Sequence, residues 1–170
     1  MLRLIRHLFA IAVLPFSVTV LIPVWLARRN DTSLTVGSDA LEIAGRAAGA
    51  VLLGLGLLLF GATLRKFDRD GQGTLAPWDP PRRLVTRGPY AYVRNPMISG
   101  VLLVLLGEAL VLFSRAHLEW ALLFFAINAV YIPLLEEPLL RERFGEEYRE
   151  YYRHVPRLLP RLRPWRPGTG

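Results

Sequence analysis

The sequence has no cysteine, which excludes a disulfide framework, a thiolate nucleophile and a Cys-ligated metal. Its three histidines, His7, His117 and His154, are too scattered to suggest a metal site, so no metal is expected. Long stretches also lack charge. Residues 8–27 and 47–64 contain none, 96–113 contain only Glu108, and 118–135 contain only Glu119, close to the start. Each run is about 18–20 residues, enough for a helix to cross a hydrocarbon core of roughly 30 Å. With 52% of its 170 residues hydrophobic, the chain is expected to be an all-α, polytopic membrane bundle of about four transmembrane helices forming a single domain, 1–170.

A secretory signal is the other reading of the first run, because Arg3 and Arg6 precede it. The run is long for a signal, however, and ends in Ala27-Arg28-Arg29 without a small-x-small cleavage site. Basic residues concentrate elsewhere: residues 65–94 carry seven Lys/Arg against three Asp, and 136–170 carry eight Arg against six Glu. By the positive-inside rule both termini and the 65–94 loop are expected in the cytoplasm, with Arg28 and Arg29 running mildly against this, as in a multi-pass inner or plasma membrane protein. The net charge of +7 points to anionic lipid headgroups as partner. It does not point to nucleic acid, since no Lys/Arg-rich run interleaved with aromatics forms a soluble module.

Four parts follow along the chain: an N-terminal transmembrane pair (1–67), a cytoplasmic loop (68–95), a helical hairpin (96–136), and a C-terminal amphipathic helix with a tail (137–170). The second apolar run holds Gly49, Gly54, Gly56 and Gly61, which permit close helix approach within the chain or in a homodimer. Residues 68–83, DRDGQGTLAPWDPPRR, have turn composition; GQG without a preceding strand reads as a turn rather than a phosphate cradle. The very short link around Ser114 makes the third and fourth runs an antiparallel hairpin, which returns Glu136-Glu137 to the face where Pro96 enters. Leu140, Phe144, Tyr148 and Tyr152 recur every four residues, the pattern of an amphipathic helix over the cytoplasmic face, and Pro138 suits a fresh helix start.

Arg94-Asn95-Pro96 reads as a helix entrance in which Asn95 caps and Pro96 needs no N–H; an open N-terminus there also suits a carboxylate or phosphate. Tyr90 and Tyr92 are interfacial aromatics or π faces for a ligand. Glu136 and Glu137 lie at the negative end of a helix dipole and require a cation, which Arg94, Arg141 or a ligand would supply. Glu108 lies near the bilayer centre, where an ionised group is expensive, and Asn128 on the returning helix is its expected partner.

The blocks LVTRGPYAYVRNPMISG, EEPLLRERFGEEYREYY and VPRLLP together resemble, in order and spacing, the isoprenylcysteine carboxyl methyltransferase and phospholipid N-methyltransferase families of integral membrane enzymes. The resemblance covers about residues 82–160, and the N-terminal helices are similar only in being apolar. It implies transfer of a methyl group from S-adenosylmethionine to a lipid or lipidated acceptor. By matching position it implies cofactor binding at Arg83, Leu84, Val85, Tyr90, Asn95, Pro96, Met97, Ile98 and Glu136, and catalytic roles for Glu136, Glu137 and Arg94. Asn95 stands where the family usually has His, and Ile98 where it has Tyr. Ile132 stands where the isoprenylcysteine enzymes have an Arg for the acceptor carboxylate, which favours an amine or phospholipid acceptor. Two other readings compete: a membrane sterol or enone reductase using NADPH, which the short chain and the Glu pair disfavour, and a non-catalytic lipid-binding relative.

Overall fold

A computed structural model describes residues 12–32, 39–70 and 83–166. The expected turn-rich loop falls, for residues 71–82, outside the described residues, as do residues 8–11 of the first apolar run. Among the described residues every regular element is helical: α1 (Ala12–Leu21), α2 (Ile22–Arg29), α3 (Ala40–Asp70), a 3₁₀ turn (Gly88–Ala91), α4 (Pro96–Val111), α5 (Arg115–Tyr131), a π-turn (Ile132–Glu136) and α6 (Glu137–His154).

Prolines shape the irregular parts. α1 is wound as a π-helix around Pro15, which has no N–H to donate, and the Thr19 hydroxyl donates to the Pro15 carbonyl at 2.8 Å. α1 runs on through Leu21 in helical conformation into α2, which ends where the Asn30 side-chain amide and backbone N–H both donate to the Leu26 carbonyl. The fresh start expected at Pro138 does not occur. Glu136 and Glu137 are both helical, and the Glu137 N–H bonds the Ile132 carbonyl, five residues back. The π-turn contains Pro133 and directly precedes Pro138, which has no N–H to donate and whose ring would meet the Leu134 carbonyl in an ordinary α-turn. The real interruption of α6 is Gly145, at φ 54° and ψ −127°, a conformation open only to glycine.

Two stretches among the described residues are long and apolar enough to cross a membrane, Ala40–Lys66 and Arg115–His154, and Pro96–Val111 is a shorter apolar helix. The second stretch has 40 residues, about 60 Å at 1.5 Å per residue, roughly twice a hydrocarbon core. Its uninterrupted apolar part ends at Leu135, and charged residues recur from Glu136 onward.

The chain forms two compact units. The first comprises Met1–Leu58 and Gly100–Phe125. Here α3 and α4 touch backbone to backbone: a Cβ placed on Gly107 would lie 2.6 Å from the Leu53 nitrogen, and one on Gly56 would lie 2.7 Å from the Val104 nitrogen. Gly49 meets the same helix, so Gly49 and Gly56 are spent on packing within the chain, whereas Gly54 has open space beside it. The expected hairpin turn is present at Leu112–Ser114, and Arg46 reaches across it to donate from Nη1 to the Val111 carbonyl at 2.6 Å. Buried His117 bridges the Ser114 hydroxyl and the Pro23 carbonyl. Glu108 has its Oε2 buried with no hydrogen-bond partner among the described residues.

The second unit comprises Leu59–Ser99 and Ala126–Gly170. Its core is Tyr148, Tyr151, Val155 and Trp165, with Leu84, Leu140, Phe144 and Tyr152 packed around them. Residues 155–165 form a strap stiffened by Pro156, Pro160 and Pro164. The strap is tied to the start of α4 and the turn before it. Arg94 and Asn95 donate their N–H groups to the carbonyls of Pro156 and Arg157, and Arg161 and Trp165 donate theirs to Tyr92 and Ala91. The N–H that follows each of the last two prolines thus makes the return bonds.

Candidate functional site

All the groups of interest lie in the second unit, where the 3₁₀ turn, the first turn of α4, the π-turn, α6 and the strap converge. Glu137 is its anchor, 2% exposed. Arg157 grips it with two parallel bonds, Nε to Oε1 at 2.8 Å and Nη2 to Oε2 at 3.0 Å, and Arg94 Nη2 lies 3.2 Å from Oε1. A carboxylate taken out of water is tolerable only when paired and hydrogen-bonded, and here two guanidiniums fill its lone-pair sites. The hydrogen bond to Glu137 raises the affinity of the Arg157 guanidinium for its proton still further.

Arg94 is the more informative partner. Its side chain is 8% exposed, it gives only Nη2 to Glu137, and its Nε and Nη1 are buried with no hydrogen-bond partner among the described residues. Its Cζ rests 3.9 Å above the Tyr152 ring, and Arg141, expected as a second partner for the Glu pair, instead has its Cζ 4.4 Å from the same ring. A buried donor without an acceptor costs about 1–3 kcal/mol, more when charged. An oxyanion placed beside such a group would relieve that cost.

Glu136, the neighbour of the clamped carboxylate, has no guanidinium bonded to it among the described residues. Burial raises its pKa to about 7, the negative charge of Glu137 adds to this, and Arg94 opposes it. A group poised in this way gains strongly from a cation placed beside it. Tyr90 is close enough for Glu136 to push its phenol upward, on top of the larger effect of burial, and its backbone carbonyl accepts the Tyr151 hydroxyl at 2.7 Å.

The structure therefore brings together Tyr90, Arg94, Glu136 and Glu137. Asn95 and Pro96 join them on the same entrance, with Met97 and Ile98 half-buried in the first turn of α4. Leu84 packs on the tyrosine cluster, Val85 is buried and Arg83 is exposed. Asn95 does not cap α4 with its side chain among the described residues; its carbonyl takes the Ser99 N–H, and the Ser99 hydroxyl bridges toward the Leu158 carbonyl. Arg157 and Trp165 were missed from the sequence. Arg157 lies 20 residues from its carboxylate and outside any helical period, and only VPRLLP hinted that the tail belonged to the site.

A family model described as phospholipid methyltransferase matches residues 44–147, more than half of the chain. The chain belongs to the phospholipid methyltransferase family. No curated protein and no solved structure matches it. The match includes most of α3, which the sequence motifs had left aside, and both glutamates, and it ends inside α6 before the strap. Membership makes the protein a membrane-associated methyltransferase of the lipid kind, and its two long apolar helices fit insertion. In this phospholipid methyltransferase the neighbouring glutamates differ in environment: Glu137 is paired with two arginines, while Glu136 makes no guanidinium bond among the described residues.

Proposed function

We propose that the protein transfers a methyl group from S-adenosylmethionine to the amine headgroup of a phospholipid, at a site facing the cytoplasm in a single multi-pass domain of about four spans. One observation carries this reading. Among the described residues, buried Arg94 has two unpartnered nitrogens beside Glu136, a carboxylate with no bonded cation, so one small cluster suits both ends of a zwitterion. The donor set fits the cofactor's amino-acid portion and its sulfonium.

When bound, S-adenosylmethionine supplies an electrophilic methyl group. The chain's own residues then bind and orient. Glu136 attracts positive charge, Arg94 Nε and Nη1 hold an oxyanion, and Tyr90 walls the cluster. Glu137 orients Arg94 and stays outside the chemistry, since both its oxygens are engaged. Strap and tyrosine core keep water from one side, which strengthens each of these contacts. Catalysis of this kind rests on alignment rather than on a covalent protein intermediate. Ile132 is fully buried and apolar and offers no cation to an acceptor carboxylate, which favours an amine acceptor over a prenylcysteine.

The test is purification in detergent, calorimetric titration with S-adenosylmethionine and with NADPH, and transfer of labelled methyl into a lipid extract. The expected result is binding of S-adenosylmethionine, lost in Glu136→Ala, and label in an aminophospholipid. Binding of NADPH alone would establish a reductase, binding of neither a non-catalytic relative, and efficient labelling of a prenylcysteine mimic would overturn the choice of acceptor.

A further inference from the structure

Leu162 and Leu159 are the two most exposed large apolar side chains among the described residues, at 100% and 81%. Unlike the exposed leucines of α3 and α5, they do not belong to an apolar run that crosses the bilayer. They sit on the strap, whose depth is set by its hydrogen bonds to Ala91, Tyr92, Arg94 and Asn95, just before the point where the apolar run opens at Pro96. The strap is also rigid. Three prolines restrict its backbone, and Trp165 is buried against Tyr151 and stacked on His154, so Leu159 and Leu162 are held outward rather than free to turn in. Charge completes the pattern. From Tyr151 to Arg166 the sequence has five arginines and no acid.

We propose that the strap docks on an anionic membrane surface, with Leu159 and Leu162 inserted among the acyl chains and the exposed Arg163 beside them on lipid phosphate, Arg157 being held by Glu137. Exposed leucines alone would suit any apolar surface, but the one-signed charge beside them selects a negatively charged leaflet, and such attraction is screened by salt. The strap also carries the Arg157 that grips Glu137 and covers the entrance of α4, so the lipid surface helps hold the roof of the candidate site in place.

The absence of native cysteine permits a clean test. Full-length Leu162→Cys protein is labelled with an environment-sensitive fluorophore and placed in nanodiscs of phosphatidylcholine alone, or of phosphatidylcholine mixed with phosphatidylglycerol; Glu146→Cys, exposed on α6, is the comparison site. The expected result at position 162 is a blue shift and quenching by brominated lipid in the anionic discs, at least twofold weaker in phosphatidylcholine alone, in high salt and in an added Arg163→Glu background. A water-like signal in anionic discs would overturn the proposal, as would equal insertion in both lipids. A blue shift without lipid quenching would assign the leucines to a protein contact and overturn it too. Leu162 packs against nothing, so the substitution leaves folding intact, and the readout is independent of methyl transfer.

Discussion

Replacing Glu136 and Glu137 by alanine, one at a time, should have opposite consequences although the two are adjacent. Glu137 is 2% exposed and is the carboxylate partner of both Arg94 and Arg157. Removing it leaves Arg94, already short of acceptors at Nε and Nη1, as an uncompensated buried cation, and breaking a buried pair in this way costs about 3–5 kcal/mol. Removing Glu136 breaks no guanidinium bond and relieves an unfavourable charge. Holding a carboxyl at about 7 against an ordinary 4.5 corresponds to roughly 3 kcal/mol above neutral pH, an upper bound because water reaches part of the side chain. Glu136→Ala should therefore be as stable as the parent or more so at pH 8, while losing S-adenosylmethionine binding. Thermal unfolding in detergent, followed by tryptophan fluorescence, and calorimetry on the same samples separate the two effects. Equal destabilisation by both substitutions, or retention of binding in Glu136→Ala, would refute the division of roles.

Stability of the ligand-free protein should fall as pH rises from about 4.5 through 7, because Glu136 keeps its proton in the fold after the unfolded chain has released its own; Glu136→Gln should remove this part of the pH dependence in thermal scans. Gly107→Ala should destabilise by about 1–3 kcal/mol or more, since its Cβ would meet the Leu53 backbone, whereas Gly54→Ala should be tolerated, and unfolding in detergent would distinguish them. Tyr151→Phe should cost about 1–2 kcal/mol by leaving the Tyr90 carbonyl without its 2.7 Å donor, and amide exchange across the turn at Gly88–Ala91 should rise with it.

The helical class was legible in the sequence, and of the four apolar runs two lie in stretches long and apolar enough to cross a membrane among the described residues. The short link at Ser114 and the glycines of α3 likewise have a local physical cause, in chain length and side-chain volume. The same locality made Arg94 and Glu136-Glu137 stand out, as polar groups placed where helix ends make them unfavourable. Pro138 misled, because a proline that looks like a helix start is accommodated by the π-turn that precedes it, and the helix breaks at Gly145 instead.

The roles within the site were decided by tertiary structure alone. Two adjacent glutamates are chemically identical in sequence, and their difference arises from which one faces Arg157, 20 residues away on a proline strap with no periodicity to reveal its course. Burial then acts on each in turn, leaving Glu137 a paired anion and Glu136 a carboxyl near neutrality. Sequence determined which groups would be expensive to bury. Only the fold determined which of them found partners inside the chain and which remain open to a ligand.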